Sequence, residues 1–164
     1  MFSSATQATF TLPHQPEYDH TQSAPMYWLM LVPALAILLV AGILSEDADV
    51  LLPMLAMAGL LVVIAFSFRS LRVVDEGTRL VARFGPIPIF SKRMVYADIV
   101  AAEPDRTSLV DGWGIHWVPG RGWTYNLWGF DCVRFTFAGG KTIRIGTDDP
   151  HGLARFLQQR IAQH

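Results

Sequence analysis

The chain opens its hydrophobic pattern with two long uncharged runs, residues 26–44 and 50–68, and then changes to short apolar bursts broken by Gly and Pro. As helices rising 1.5 Å per residue, the runs would each span about 28 Å, close to one hydrocarbon core. Residues 45–49 between them hold Glu46, Asp47 and Asp49. So short a link joins only neighbouring antiparallel helices, and its acids exclude it from hydrocarbon, so it is expected to be an exposed tip. Pro33 and Pro53 fall in the first turns of their runs, where a lost backbone donor or a kink is tolerated. The pattern therefore predicts a transmembrane helical hairpin over residues 26–68. A signal peptide is the competing reading of the first run, but the basic n-region is missing and a second full-length run follows.

From residue 71 onward the period shortens to two. Strand-like runs appear at 71–74, 78–84, 89–94, 99–102, 113–118, 123–127, 132–137 and 142–145, with turn residues about every ten positions, which favours a sandwich or barrel. The clearest hairpin is the last. Val133, Phe135 and Phe137 alternate with Cys132, Arg134 and Thr136, a Gly139-Gly140 turn follows, and Ile143 and Ile145 alternate with Thr142 and Arg144. Asp149 then stands as an N-cap before Pro150, and Leu153, Phe156, Leu157 and Ile161 recur on one helical face. The fold class expected is α+β: a helical hairpin, then about seven strands capped by one C-terminal amphipathic helix.

Charge gives this plan a direction. The net charge is only −1, yet all 13 Lys and Arg residues lie at or after Arg69, whereas the first 68 residues carry acids alone. Arg69, Arg72, Arg79 and Arg83 follow the second run closely, which places residues 69–164 in the cytoplasm by the positive-inside rule. Both termini then share that side, and residues 1–25, rich in Ser, Thr, Gln and Pro, are expected to form a flexible cytoplasmic tail. Tyr27 and Trp28 read as interfacial anchors, and Ala56, Ala58 and Gly59 as small residues letting the helices approach. Cys132 is the single cysteine and reads as core.

Arg83-Phe-Gly-Pro86, Tyr96-Ala-Asp-Ile99, Gly112-Trp-Gly-Ile-His116, Pro119-Gly-Arg-Gly-Trp123 and above all Lys141-Thr-Ile-Arg-Ile-Gly-Thr-Asp-Asp-Pro150 resemble the bacterial membrane proteins that carry a pleckstrin-homology-like (PH-like) domain behind two transmembrane helices. The resemblance covers residues 71–162. It implies a PH-like barrel, membrane attachment and a bacterial inner-membrane location, and it brings no catalytic residues. The first hairpin offers only Arg79 and Arg83, not the dense basic run of phosphoinositide-binding PH domains.

Candidate chemistry is sparse. No ionisable residue lies inside either apolar run, which speaks against an ion or proton pathway. The five histidines lack ligand spacing, Asp148 and Asp149 read as a helix cap, and Glu103, Asp105 and Asp111 read as a solvated turn. No nucleophile or phosphate-binding motif is present, so the chain is expected to be non-enzymatic, without cofactor, metal, nucleic acid or small-molecule substrate. Two surfaces remain. Trp113, Trp117, Arg121 and Trp123, within a Gly-rich aromatic stretch, are candidates for binding a partner membrane protein; most of the rings are expected in the barrel core, with Arg121 and one or two of them left as contacts. Arg69, Arg72, Lys92 and Arg93 are candidates for contact with anionic membrane lipids. The function expected is an accessory subunit or assembly factor, with a lipid-sensing module as the alternative.

Overall fold

The computed structural model describes residues 15–44, 47–108 and 111–163. The first fourteen residues of the expected tail and residues 45 and 46 of the expected tip lie outside the described residues.

Both apolar runs are helical. α1 covers Trp28–Leu44 after a 3-10 turn at Pro25–Tyr27, and α2 covers Ala48–Ser67, capped by Asp47, whose side chain accepts a hydrogen bond from the Asp49 amide at 2.9 Å. The two pack side by side through Ala34, Ala41, Ala58 and Ala65, all buried. In each helix the alanines are seven residues apart, so they fall on one seam, and a methyl there lets the backbones approach. Of the small residues expected at this contact, Ala58 takes part, while Ala56 and Gly59 face outward. The remaining surface of both helices is largely exposed and apolar, including Leu35, Leu39, Ile43, Leu52 and Leu60.

Nine strands follow or precede this pair among the described residues. β1 (Asp19–Ser23), β2 (Ser70–Asp75), β3 (Arg79–Gly85) and β4 (Ser91–Val95) form one antiparallel sheet in that order. β5 (Ile99–Arg106), β6 (Gly114–Val118), β7 (Gly122–Asn126), β8 (Asp131–Phe137) and β9 (Thr142–Gly146) form a second, in the order β5-β8-β9-β7-β6, with β7 and β9 parallel. The expected β8–β9 hairpin is present, and α3 runs from Pro150 to Ile161 with Asp149 as its N-cap. The sheets do not close into a barrel.

β1 replaces part of the expected loose tail. It pairs with β2 from Asp19–Val74 to Ser23–Ser70, and leads through the 3-10 turn into α1, just as α2 leads through Phe68 and Arg69 into β2. Residues 19–44 and 47–75 thus form two arms that run side by side, each part strand and part helix. Tyr18 stacks on Phe156 at 5.4 Å, and His20 contacts Asp148, which fastens this segment to the start of α3. Polar composition hid the strand, whose inward residues are only Gln22 and His20.

One core lies between the sheets and under α3. Leu71, Val73, Leu80, Phe84 and Met94 meet Val133, Phe135, Ile143 and Ile145, and Leu153, Phe156 and Leu157 close the far side. Asp75 is buried at the end of β2 and accepts hydrogen bonds from Tyr96 Oη at 2.8 Å and Arg160 at 3.1 Å, so the charge is paired where it is desolvated.

Candidate interaction surface

Trp117 on β6 stands directly opposite Trp123 on β7. Trp123 lies in register with Ile143 of β9, and Ile143 with Phe135 of β8. Residues paired across a ladder point to the same face, so the two tryptophans continue the face that carries the core. α3 packs on β5 and β8, at the other side of the sheet, and leaves Trp117 and Trp123 at the β6–β7 edge open. Trp117 is therefore 57% exposed and Trp123 41%. Their placement in a barrel core is corrected: the strand period put them on the right face, but the sheet extends past its cover.

Trp113 does not join this pair. It stacks on Trp128 at 4.5 Å between ring centroids, and its Nε1 donates to the Gly129 carbonyl at 3.3 Å. Both rings are partly exposed as well, so none of the four tryptophans of this stretch is core.

Arg121 is exposed but not free. Its Nη1 donates to Asp111 Oδ2 at 2.7 Å, and its carbonyl accepts from Thr142 Oγ1 at 3.0 Å and from Arg144 Nη1. Asp111 is buried rather than solvated. Burial pushes its carboxyl up, but hydrogen bonds from the Ser108 amide and hydroxyl and the charge of Arg121 outweigh it and hold the group below the usual carboxylate range. Asp105 is likewise structural, accepting from the buried Arg144 at 2.9 Å. Gly122 is required at the corner: its φ is +80°, and a Cβ there would lie 2.2 Å from the Thr142 carbonyl oxygen.

The four membrane-surface candidates do not form one patch. Arg72 is held by Asp19, with Nε 2.7 Å from Oδ1, and Arg69 lies over the Tyr27 ring at 5.6 Å. Lys92 pairs with Ala82 on the core face of the first sheet, whereas Arg93 pairs with Val81 on the opposite face. Lys92 sits beside Lys141 at the seam between the sheets; burial and then the Lys141 charge lower its pKa.

Residues 86–90 form no part of a strand, although the sequence pattern predicts one from residue 89. The segment is Pro86-Ile-Pro-Ile-Phe90, an uncharged loop between β3 and β4 with its large side chains exposed. Two prolines inside an apolar run were the available signal. Together with the open tryptophan face, this loop defines an α+β chain with an apolar helical pair and exposed aromatic surface on its sheet domain. No family model matches the chain, and no curated protein matches it.

Proposed function

We propose that this chain is a membrane-anchored, non-enzymatic interaction module of a bacterial cytoplasmic membrane. The helical pair crosses the bilayer, the sheet domain stands on the cytoplasmic side, and the Trp117–Trp123 face docks onto an apolar segment of a partner membrane protein, as an accessory subunit or assembly factor. The observation that carries the reading is the cross-strand tryptophan pair: an extension of the core face, 57% and 41% exposed, with no cover of its own. Large rings left open on a rigid strand pair cost little entropy to immobilise and supply much area to bury.

Anchorage is supported by two helices of 17 and 20 residues whose apolar side chains point outward, the reverse of a core helix in water. The orientation is supported by the cations, all at or after Arg69. Distant PH-like kinship is supported by the strands-then-helix order and the motifs at 83–86 and 141–150; the parallel β7–β9 pairing and the unclosed sheets are departures from that plan. An anionic-lipid role draws less support, because Arg72 is already engaged by Asp19.

The test is purification of the tagged full-length chain in mild detergent, followed by mass spectrometry, beside a Trp117→Ala/Trp123→Ala variant. A membrane protein that accompanies the parent chain and is lost from the variant, with the melting temperature kept, is the expected result. A chain that is reproducibly alone, or a companion retained equally by the variant, would sink the proposal.

A further inference from the structure

The loop between β3 and β4 and the stacked tryptophans lie at one end of the domain, the end where the helices enter. Gly85, which precedes the loop, is in register with Ser70, the first residue of β2 after α2. The Phe90 ring is 5.3 Å from Phe68, which in turn meets Phe84 at 5.1 Å. On the other flank Trp113 lines a cleft of about 240 Å³ with Met26, Tyr27, Met30, Ile64 and Phe68. Ile87, Ile89 and Phe90 on one side, with Ile89 55% exposed, and Trp113 with Trp128 on the other, thus ring the helix–domain junction.

We propose that this ring is a lipid-binding surface, seated in the headgroup–acyl boundary of the bilayer that the helices cross. The inference rests on the reading of the helical pair as membrane spans. Lipid is the occupant because the ring is continuous with the exposed apolar flank of α1 at Leu29 and Met30, and anything bathing that flank reaches the ring too. Loop chemistry agrees. Backbone donors are costly away from water, yet Pro86 and Pro88 have none, and the Ile89 amide is satisfied by the Ile87 carbonyl at 2.9 Å. The Phe90 carbonyl accepts from the Phe84 amide at 2.9 Å, and Trp113 has its indole donor occupied. A short uncharged loop with two prolines and three large apolar side chains, beside paired indoles, suits the membrane interface better than bulk water. The ring turns the two helix–strand joints into a broad seat and fixes the height at which the Trp117–Trp123 face meets a membrane partner.

The test uses the full-length chain in phosphatidylcholine vesicles with nitroxide-bearing (doxyl) acyl chains, which quench a nitrobenzoxadiazole label within the apolar zone. Cys132 is buried and its thiol is pushed up to about 12, mainly by burial, so it stays unlabelled under native conditions. Labels go on Leu35→Cys in mid-α1, Ile89→Cys in the loop and Thr78→Cys in the β2–β3 turn at the opposite end of the sheet. The expected result is loss of fluorescence at positions 35 and 89 with position 78 remaining bright. A bright label at position 35 would overturn the anchor reading and the ring with it. Quenching at 35 with position 89 as bright as 78 would overturn the ring alone, and equal quenching at 78 and 89 would overturn it as well.

Discussion

The guanidinium of Arg121 stands 2.7 Å from the carboxylate of Asp111, which is buried and also accepts two hydrogen bonds from Ser108. The turn at 119–122 is therefore a fixed corner of the sheet, and Arg121 is better described as its fastener than as a free contact. Arg121→Glu brings a second carboxylate against a buried one. The expected outcome is a loss of roughly 1 to 3 kcal/mol of stability, held below the value for a fully buried pair because Arg121 is half exposed. Arg121→Gln, which keeps a donor, should lose less. Urea unfolding of both variants checks the order; equal stability of the parent chain and Arg121→Glu would show that the pair contributes nothing.

Stability should also depend on pH in two stages. His116 has its imidazole pKa lowered by burial, opposed by the Asp111 charge, and its Nε2 is buried without a partner among the described residues. Below about 6.5 the unfolded chain then takes up a proton that the folded chain resists, so stability falls as pH drops from there. Asp19, held by Arg72, and Asp111 have depressed carboxyl pKa values; their contribution is complete above about 4 and disappears as pH falls through and below that value. Melting temperature measured from pH 8 to pH 3 should decline shallowly and then steeply. His116→Gln should remove the first stage, and a parent chain flat down to pH 5 would contradict the assignment.

Two glycines of one turn make a matched comparison. Gly120 and Gly122 both have positive φ, at +73° and +80°, but a Cβ at position 120 meets nothing within 4 Å, whereas at 122 it collides with the Thr142 carbonyl across the parallel β7–β9 pair. Gly120→Ala should cost about 1 kcal/mol from backbone strain, and Gly122→Ala several-fold more, because backbone must move. Thermal melts of the two variants give the comparison directly, and indistinguishable values would argue against the β7–β9 register.

The period of the sequence carried much of this fold. The nineteen-residue apolar runs, the Val133–Phe135/Ile143–Ile145 alternation and the Asp149-Pro150 start all appear as helix, hairpin and cap because local pattern and tertiary burial agree there. β1 escaped because its stability comes from pairing with β2 and from Tyr18 and His20 touching the start of α3 and the residues just before it, contacts 47 or more residues distant that leave no apolar period. The site was harder to read. Alternation told which face Trp117 and Trp123 occupy, but whether a face is covered depends on where α3 and the first sheet end, and that is set by the order β5-β8-β9-β7-β6 rather than by any residue in β6. Ten residues divide Arg121 from Asp111 in the chain, and only the fold of the intervening β6 strand makes them neighbours.

The helical pair offers the sharpest contrast between a packed and an open small residue. Ala58 is fully buried against α1, on the same seam as Ala65 and facing the seam of Ala34 and Ala41, whereas Gly59, one residue on, has open space where a Cβ would be. Leucine at position 58 forces the helices apart, since three added carbons have nowhere to go; overpacking of this kind typically costs about 1 to 3 kcal/mol. The same residue at position 59 enters the apolar surroundings of the helix exterior and gains helix propensity over glycine, by about 1 kcal/mol at most. Because α1 and α2 continue into β1 and β2, splaying the helices also pulls on the Ser23–Ser70 end of that ladder. Ala58→Leu should therefore lower the melting temperature in detergent and speed proteolysis after residue 15, while Gly59→Leu should leave both at or above the parent value. If Gly59→Leu proves the more damaging of the two, the helices pack through a different seam and the alanine register is wrong.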